Sequence, residues 1–314
     1  MAIKLLASAC SDKGNVRKNN EDSFFLNGHY LRREQMDDGG LFKCKAEPYA
    51  LFAVCDGMGG EEAGEEASLL SVMRCEESLA AKEDLFDREK LVYFLRNGCQ
   101  AVYDQARQRG NRSGATMALL VAGQERLRIA NMGDSRIYRL HKGTMQQISY
   151  DHTEMQRLLN AGLIKPEEVK NHPKRHMILQ YWGMPLDRAP FTPYMSKSIP
   201  YENGDRYLLC SDGLTDMLTD KQIAALLAKN EPVEKISEQM VRQAKAHGGR
   251  DNVTVVVIEV HASSDEKAGT KKKKPRQQGK HLKSARRVLG GIAVLLGAVN
   301  AYLLLEWLDF FLFR

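Results

Sequence analysis

Short apolar runs alternate with polar, glycine-bearing segments along most of this chain. Ala50–Cys55, Met117–Ala122, Leu127–Ala130, Tyr207–Cys210 and Val253–Val260 are brief and rich in Val, Ile, Leu and Ala. Their length and composition predict buried strands rather than helices. The N-terminal MAIKLLASAC reads as a first strand entering the loop Ser11-Asp12-Lys13-Gly14. Its apolar stretch is too short for a secretory leader, which disfavours a lipoprotein signal ending at Cys10. Other stretches carry helical spacing. Leu91, Leu95, Cys99, Val102 and Ala106 recur every three or four residues. Thr219-Asp220-Lys221-Gln222 is a capping box ahead of Ile223 and Leu226, and Pro166 with Glu167 and Glu168 marks another helix start. Strands and helices are grouped rather than strictly alternating, which predicts an α+β fold with sheets covered by helices. No internal repeat is visible.

Composition divides the chain in three. Residues 1–261 read as a folded body. Residues 262–287 are polar, then strongly basic, and predict a disordered linker. Residues 288–314 are apolar. The chain has 43% hydrophobic and 27% charged residues and a net charge of +6. Nine Lys and Arg lie between Lys271 and Arg287; without them 37 basic residues face 40 acidic ones, a net of −3. The body therefore lacks the basic character of a nucleic-acid binder. The six cysteines form no CxxC pair and several sit in apolar runs, which points to a reducing compartment.

Val288 to Leu305 is an uncharged run whose only strongly polar residue is Asn300. As a helix it would span about 27 Å, close to the hydrocarbon thickness of a bilayer. Trp307, Phe310, Phe311 and Phe313 follow as an interfacial belt. The expectation is one C-terminal transmembrane helix, with the basic side in the cytoplasm and the linker drawn to anionic lipid headgroups.

Several predicted strands run into an acid. Ala50–Cys55 leads into Asp56-Gly57, Arg128–Met132 into Gly133-Asp134, and Tyr207–Ser211 into Asp212-Gly213. Asp251-Asn252 precedes the last strand, and Glu21-Asp22 follows Arg17. One Asp-Gly is an ordinary turn. Four such sites in one domain are a different matter, because a carboxylate at a buried strand end is costly unless it is paired or ligates a cation. No His or Cys cluster accompanies the acids in the sequence, so oxygen-only ligation of Mg²⁺ or Mn²⁺ is expected rather than Zn²⁺.

The ordered set Arg17…Glu21-Asp22, Asp56-Gly57-Met58-Gly59-Gly60, Ser113-Gly114-Ala115-Thr116, Gly133-Asp134-Ser135-Arg136, Asp151-His152, Ser211-Asp212-Gly213 and Asp251-Asn252 resembles the type 2C protein phosphatases, metal-dependent serine/threonine phosphatases, in their bacterial branch. The resemblance covers residues 3 to about 260. It implies an α-β-β-α sandwich of two antiparallel sheets flanked by helices. It implies two Mn²⁺ or Mg²⁺ ions and a third site. By matching position, Asp56 bridges two ions, the Gly57 carbonyl binds one, and Asp212, Asp251 and Glu21 face the second. Asp134 with Asp212 matches the third site, Asp22 and Asn252 stand behind the ligands, and Arg17 grips the substrate phosphate.

The chemistry so implied is attack by a two-metal-activated water on phosphoserine or phosphothreonine in proteins, opposing serine/threonine kinases. Met58 stands where some relatives carry a proton-donating His, which leaves the leaving-group proton to a water on the metal. His152 reads as structural beside Asp151, and Ser113, Thr116 and Ser135 as small packing residues without a base partner. Residues 154–183 match the mobile flap over the active site. Two other classes stay open: a non-catalytic phosphoprotein-binding module of this fold, and a membrane scaffold whose basic tail is the working part.

Overall fold

The computed structural model describes residues 2–59, 63–169 and 172–263. Numbered along the chain, the strands are β1 (Ala2–Asp12), β2 (Asp22–Leu26), β3 (Gly40–Ala46), β4 (Leu51–Met58), β5 (Gly114–Ala115), β6 (Met117–Ala122), β7 (Arg126–Met132), β8 (Arg136–His141), β9 (Thr144–Gln147), β10 (Tyr194–Met195), β11 (Ile199–Pro200), β12 (Arg206–Cys210) and β13 (Val253–Ser263). The helices are α1 (Ala63–Ala80), α2 (Arg88–Gln108), α3 (Glu154–Asn160), α4 (Pro166–Val169), α5 (Asp212–Thr215), α6 (Asp220–Leu227) and α7 (Val233–Ala246). One antiparallel sheet has the order β3-β1-β13-β12-β8-β9 and the other β10-β7-β6-β4-β2, with β5 added to β4 and β11 to β7.

Residue parity explains why the strands read as continuous apolar runs. Phe52 and Val54 of β4, Tyr207 and Leu209 of β12, and Val256, Ile258 and Val260 of β13 join the core between the sheets. Their alternate neighbours point outward. Leu51, Ala53 and Cys55 pack with Val72, Leu91, Leu95 and Val102 of α1 and α2. Leu208, Cys210, Val255 and Val257 pack with Ile223, Ile236, Met240 and Ala244 of α6 and α7. The central strands are buried on both faces, so the polar–apolar alternation of a one-sided sheet is lost there, while the edge strands β3 and β9 keep it. This is the expected α-β-β-α arrangement.

The five predicted strands, the helix over Leu91–Ala106 and the capping box at Thr219 are all present. In that box Thr219 Oγ1 accepts from the Gln222 N–H, and Gln222 Oε1 accepts from the Thr219 N–H at 2.9 Å. Two Asp-Gly pairs that singly could be read as turns are not turns. Asp56-Gly57 is not a turn: β4 continues to Met58, where Gly57 pairs with Ala115. Asp212-Gly213 is likewise no turn; it opens α5. The last strand also runs to Ser263, past the boundary drawn at 261. Helix α1 has no wide apolar stripe in the sequence because it buries small residues. Ala63, Gly64, Ala67, Ser68, Ser71 and Cys75 are buried there, and Ser68 Oγ lies 3.1 Å from Ser23 Oγ of β2.

Register puts the acids at one end of the sandwich. Asp12 pairs with Val253, Cys210 with both Val255 and Arg136, Met117 with Met132, and Asp22 with Asp56. Among the described residues no helix is long and apolar enough to cross a membrane. The run Val288–Leu305 and the linker lie outside the described residues.

Helix α2 passes close to the buried Trp182 ring. A Cβ on Gly98 would stand 2.2 Å from that ring. Trp182 is 0% exposed and its backbone bonds to Ala115 of β5 at 2.8 and 2.9 Å. Gly98→Ala is therefore expected to lower unfolding free energy by about 1–3 kcal/mol, the usual cost of overpacking. Urea denaturation checks this; an unchanged midpoint would show that the helix and the indole can separate freely.

Candidate active site

The acidic cleft is built from backbone outward. Asp56 lies near the end of β4, flanked by β2 on one side and β5 and β6 on the other. Its N–H donates to Thr116 Oγ1 at 2.8 Å, and its carbonyl accepts from the Thr116 N–H at 2.8 Å. Thr116 Oγ1 is in turn 2.6 Å from Ser135 Oγ. These hydroxyls are engaged in holding the Asp56 backbone, which fits their reading as packing residues. The Gly57 N–H donates to the Glu21 carbonyl at 3.0 Å. A Cβ on Gly57 would stand 2.1 Å from the Gly64 carbonyl oxygen, so α1 can approach this strand only over a glycine.

Asn252 clamps the N-terminal loop onto the start of β13. Its Nδ2 donates to the carbonyls of Lys13 at 3.0 Å and Asn19 at 2.9 Å, while its Oδ1 accepts from the Glu21 N–H at 2.8 Å. Asp251 Oδ1 accepts from the Asn252 N–H, and Asp251 Oδ2 accepts from Arg17 Nη2 at 2.7 Å. Asp22 is fully buried and accepts from Ser211 Oγ at 2.7 Å. The structure thus gathers Arg17, Glu21, Asp22, Asp56, Gly57, Asp134, Asp212, Asp251 and Asn252 at one end of the sandwich.

The electrostatics are those of crowded like charge. Burial first, then Asp22, Asp212, Asp134 and Asp251, hold the Asp56 carboxyl well above the usual range. Asp212 is raised for the same reason, by burial and then by Asp134 and Asp216. Burial pushes Asp22 up to about 7 and Asp134 to about 6, and raises Glu21. Asp212 Oδ1 and Asp22 Oδ1 are buried and accept no hydrogen bond. Orphaned carboxylate oxygens beside further buried acids fit hard divalent cations such as Mn²⁺ and Mg²⁺. Asp56 and Asp212 supply the acids, and Gly57 a carbonyl.

Several contributors were not legible in the sequence. His176, Asp212 and Asp216 bring their ligating atoms within 4.8 Å of one another. The expectation that no His joins the acids is therefore corrected: His176 comes from the segment between α4 and β10, far from Asp212 in sequence. Arg136 donates to Asp151 Oδ2 through Nε at 2.9 Å and Nη2 at 2.7 Å, fixing the turn that presents Asp134. The buried Glu65 of α1 pairs with Arg33 and adds to the charge felt by Glu21. A Gly-Asp-x-Arg run is the signal that could have exposed the Arg136 strut. Nothing in the linear spacing marks Arg33 or His176.

His152 is buried with its ring edge-on to Tyr150, centroids 5.4 Å apart. Its N–H donates to the Gly133 carbonyl at 2.9 Å and its carbonyl accepts from the Leu179 N–H at 2.7 Å. Burial lowers its pKa. This is a structural setting, tying the β7–β8 turn to the segment before Trp182.

Comparison with known proteins follows the same path. The chain is 29% identical to the serine/threonine phosphatase stp of Listeria innocua over 79% of this chain and 93% of that one. It is 34% identical to the serine/threonine protein phosphatase PstP of Mycobacterium tuberculosis over 83% of this chain and 46% of that one. The solved catalytic domain of PstP in complex with two manganese ions superposes with a TM-score of 0.68 at 32% identity, covering 83% of this chain and all of that one. Residues 28–254 match the family model described as protein phosphatase 2C, and the chain belongs to that family.

Proposed function

We propose that this protein hydrolyses phosphoserine and phosphothreonine in proteins with two Mn²⁺ or Mg²⁺ ions held in the Asp56 cleft. The observation that carries the reading is the gathering of Asp56, Asp134, Asp212 and Asp251 around buried oxygens that accept no hydrogen bond. Relatives named as serine/threonine phosphatases and a two-manganese structure of the same fold support it.

Two divalent cations in such a cleft supply Lewis acidity, activating a water as nucleophile and neutralising phosphoryl charge. The chain's own residues do the rest. Asp56, on a strand held by its neighbours and by Thr116, would hold both ions together with the Gly57 carbonyl. Asp212, Asp251 and Glu21 would help hold one of them, and Asp134 with Asp212 would hold a further ion, near His176 and Asp216. Asp22 and Asn252 orient these groups through Ser211 and the Glu21 N–H. Arg17 reaches Asp251 and is half-exposed at the cleft mouth, where its planar fork can donate two parallel bonds to phosphoryl oxygens. Met58 offers no proton.

The tail supports a finer reading. The linker 262–287 and the apolar run from Val288 form a membrane anchor that holds the catalytic body at the cytoplasmic face, where kinases and their phosphoprotein products meet. The charge asymmetry across the run and its length favour this.

Three outcomes are expected. Purified full-length protein hydrolyses p-nitrophenyl phosphate and phosphothreonine peptides with Mn²⁺ or Mg²⁺. EDTA abolishes this, and Asp56→Ala loses on the order of 10³-fold or more in kcat. Undiminished turnover in EDTA, or in the Asp56→Ala protein, would sink the two-ion mechanism. Arg17→Ala raises KM for phosphopeptides with a smaller change in kcat, and Arg17→Lys rescues poorly because an ammonium lacks the planar fork. Equal KM in all three proteins would make Arg17 a bystander. Full-length protein resists carbonate extraction from membranes, whereas a chain ending at Ser263 is soluble and active; full-length protein in the soluble fraction would refute the anchor.

A further inference from the structure

The acidic floor of the cleft is bordered by cations on two sides. On one side the loop Lys13–Asn19 is pinned to the segment 245–252. The Asn15 N–H donates to the Gly249 carbonyl at 2.7 Å, and Asn15 Nδ2 donates to the Lys245 carbonyl at 2.8 Å. Asn252 holds the Lys13 and Asn19 carbonyls, as described above. The backbone of Lys13 and Lys18 is thereby fixed next to Asp251, and their side chains, with that of Arg250, are exposed. Two acids of this wall carry ion pairs and a third accepts a backbone N–H. Asp12 pairs with Lys245 at 2.7 Å, Asp37 accepts from the Asn20 N–H at 2.8 Å, and Asp251 holds Arg17. Among the described residues, Lys13, Lys18 and Arg250 have no ion pair.

On the other side stands the segment that brings His176 to Asp212 and Asp216. Lys174 lies two residues before it, exposed, its N–H donating to His172 Nδ1 at 3.1 Å. The neighbouring acid Glu154 is bound through both oxygens by Arg157 at 2.7 Å each. Lys174 makes no ion pair within 4 Å among the described residues, although its charge reaches Glu154 at longer range.

Exposed cations outside close ion pairs raise the local potential that a substrate meets as it arrives from solvent. Resting on the phosphatase reading above, we propose that Lys13, Lys18 and Arg250 on one wall and Lys174 on the other select phosphopeptides that carry acidic residues beside the phosphoserine or phosphothreonine. A flat anionic surface such as a bilayer fits less well, because the cations flank a cleft whose floor must take in a single phosphate. Contacts of exposed charges act on encounter and specificity and are screened by salt. The selectivity therefore lies in KM and fades as ionic strength rises.

The test compares three phosphothreonine peptides of one backbone, flanked by Asp and Glu, by Ala, or by Lys, on full-length protein with Mn²⁺. Expected for the wild type is a kcat/KM about tenfold higher for the acidic peptide than for the Ala peptide, carried by KM and lost between about 0.05 M and 0.5 M salt. The double variant Lys13→Glu with Lys18→Glu, and separately Lys174→Glu, should lose that preference and gain on the Lys-flanked peptide. Their turnover of p-nitrophenyl phosphate, which has no flanks, should stay at the wild-type level. Equal kcat/KM for all three peptides in the wild type, with p-nitrophenyl phosphate turned over normally, overturns the selectivity but leaves the phosphatase reading standing. No turnover of any substrate overturns both. Unchanged peptide kinetics in the variants, with weakened binding to phosphatidylserine vesicles relative to wild type, assigns the walls to a lipid surface and also overturns the proposal.

Discussion

Mutual repulsion among buried carboxylates is the constraint on which the rest of this structure depends. Two unit charges about 4 Å apart repel by about 4 kcal/mol at an effective dielectric near 20. Asp56 faces Asp22, Asp212, Asp134 and Asp251 at once. Left to itself, a chain would splay such groups apart or protonate them. The fold prevents splaying by placing each on backbone that has no freedom to move. Asp56 sits inside a ladder, Asp212 opens a helix anchored under β13, and Asp251 and Glu21 are joined through Asn252. Cations then relieve the charge that the backbone refuses to separate.

The sandwich explains why this happens at one end. Its central strands are buried on both faces, packed against the other sheet and against α1, α2, α6 and α7. Strand interiors cannot host polar chemistry without large desolvation costs. Strand ends can, and the register of β1, β13, β12 and β8 in one sheet and of β2, β4, β6 and β7 in the other brings those ends together. Small residues finish the site. Gly57 lets α1 approach β4, and Thr116 with Ser135 brace the Asp56 backbone without adding charge.

Charge is layered outward from this floor. Arg136 on Asp151 and Arg33 on Glu65 neutralise acids near the site, while Arg17 stands at its mouth. Beyond them lie unpaired lysines on the loops. Loops carry these groups because the packed layers have no room for a solvated charge, and because loop side chains can meet a substrate that arrives from solvent.

Much of this was legible in the chain itself. Apolar runs such as Val253–Val260 announced strands because burial on both faces forbids polar interruptions. The stripe Leu91–Ala106 announced a helix, and the acids after the apolar runs announced the cleft, since uncompensated charge does not survive at buried strand ends. Local composition sufficed wherever the physical cause was local. What it could not supply was anything set by distance across the fold. Asp56-Gly57 looked like a turn, and became strand only because β5 and α1 close over it. Helix α1 hid its buried face in small residues whose value lies in how near they let β2 and β4 come. His176 joined Asp212 and Asp216 only when the segment before β10 folded back over α5. Sequence determined which residues must be buried and which acids needed an answering charge; the tertiary structure alone decided which of them meet, because hydrophobic burial is non-directional while a site is a set of distances.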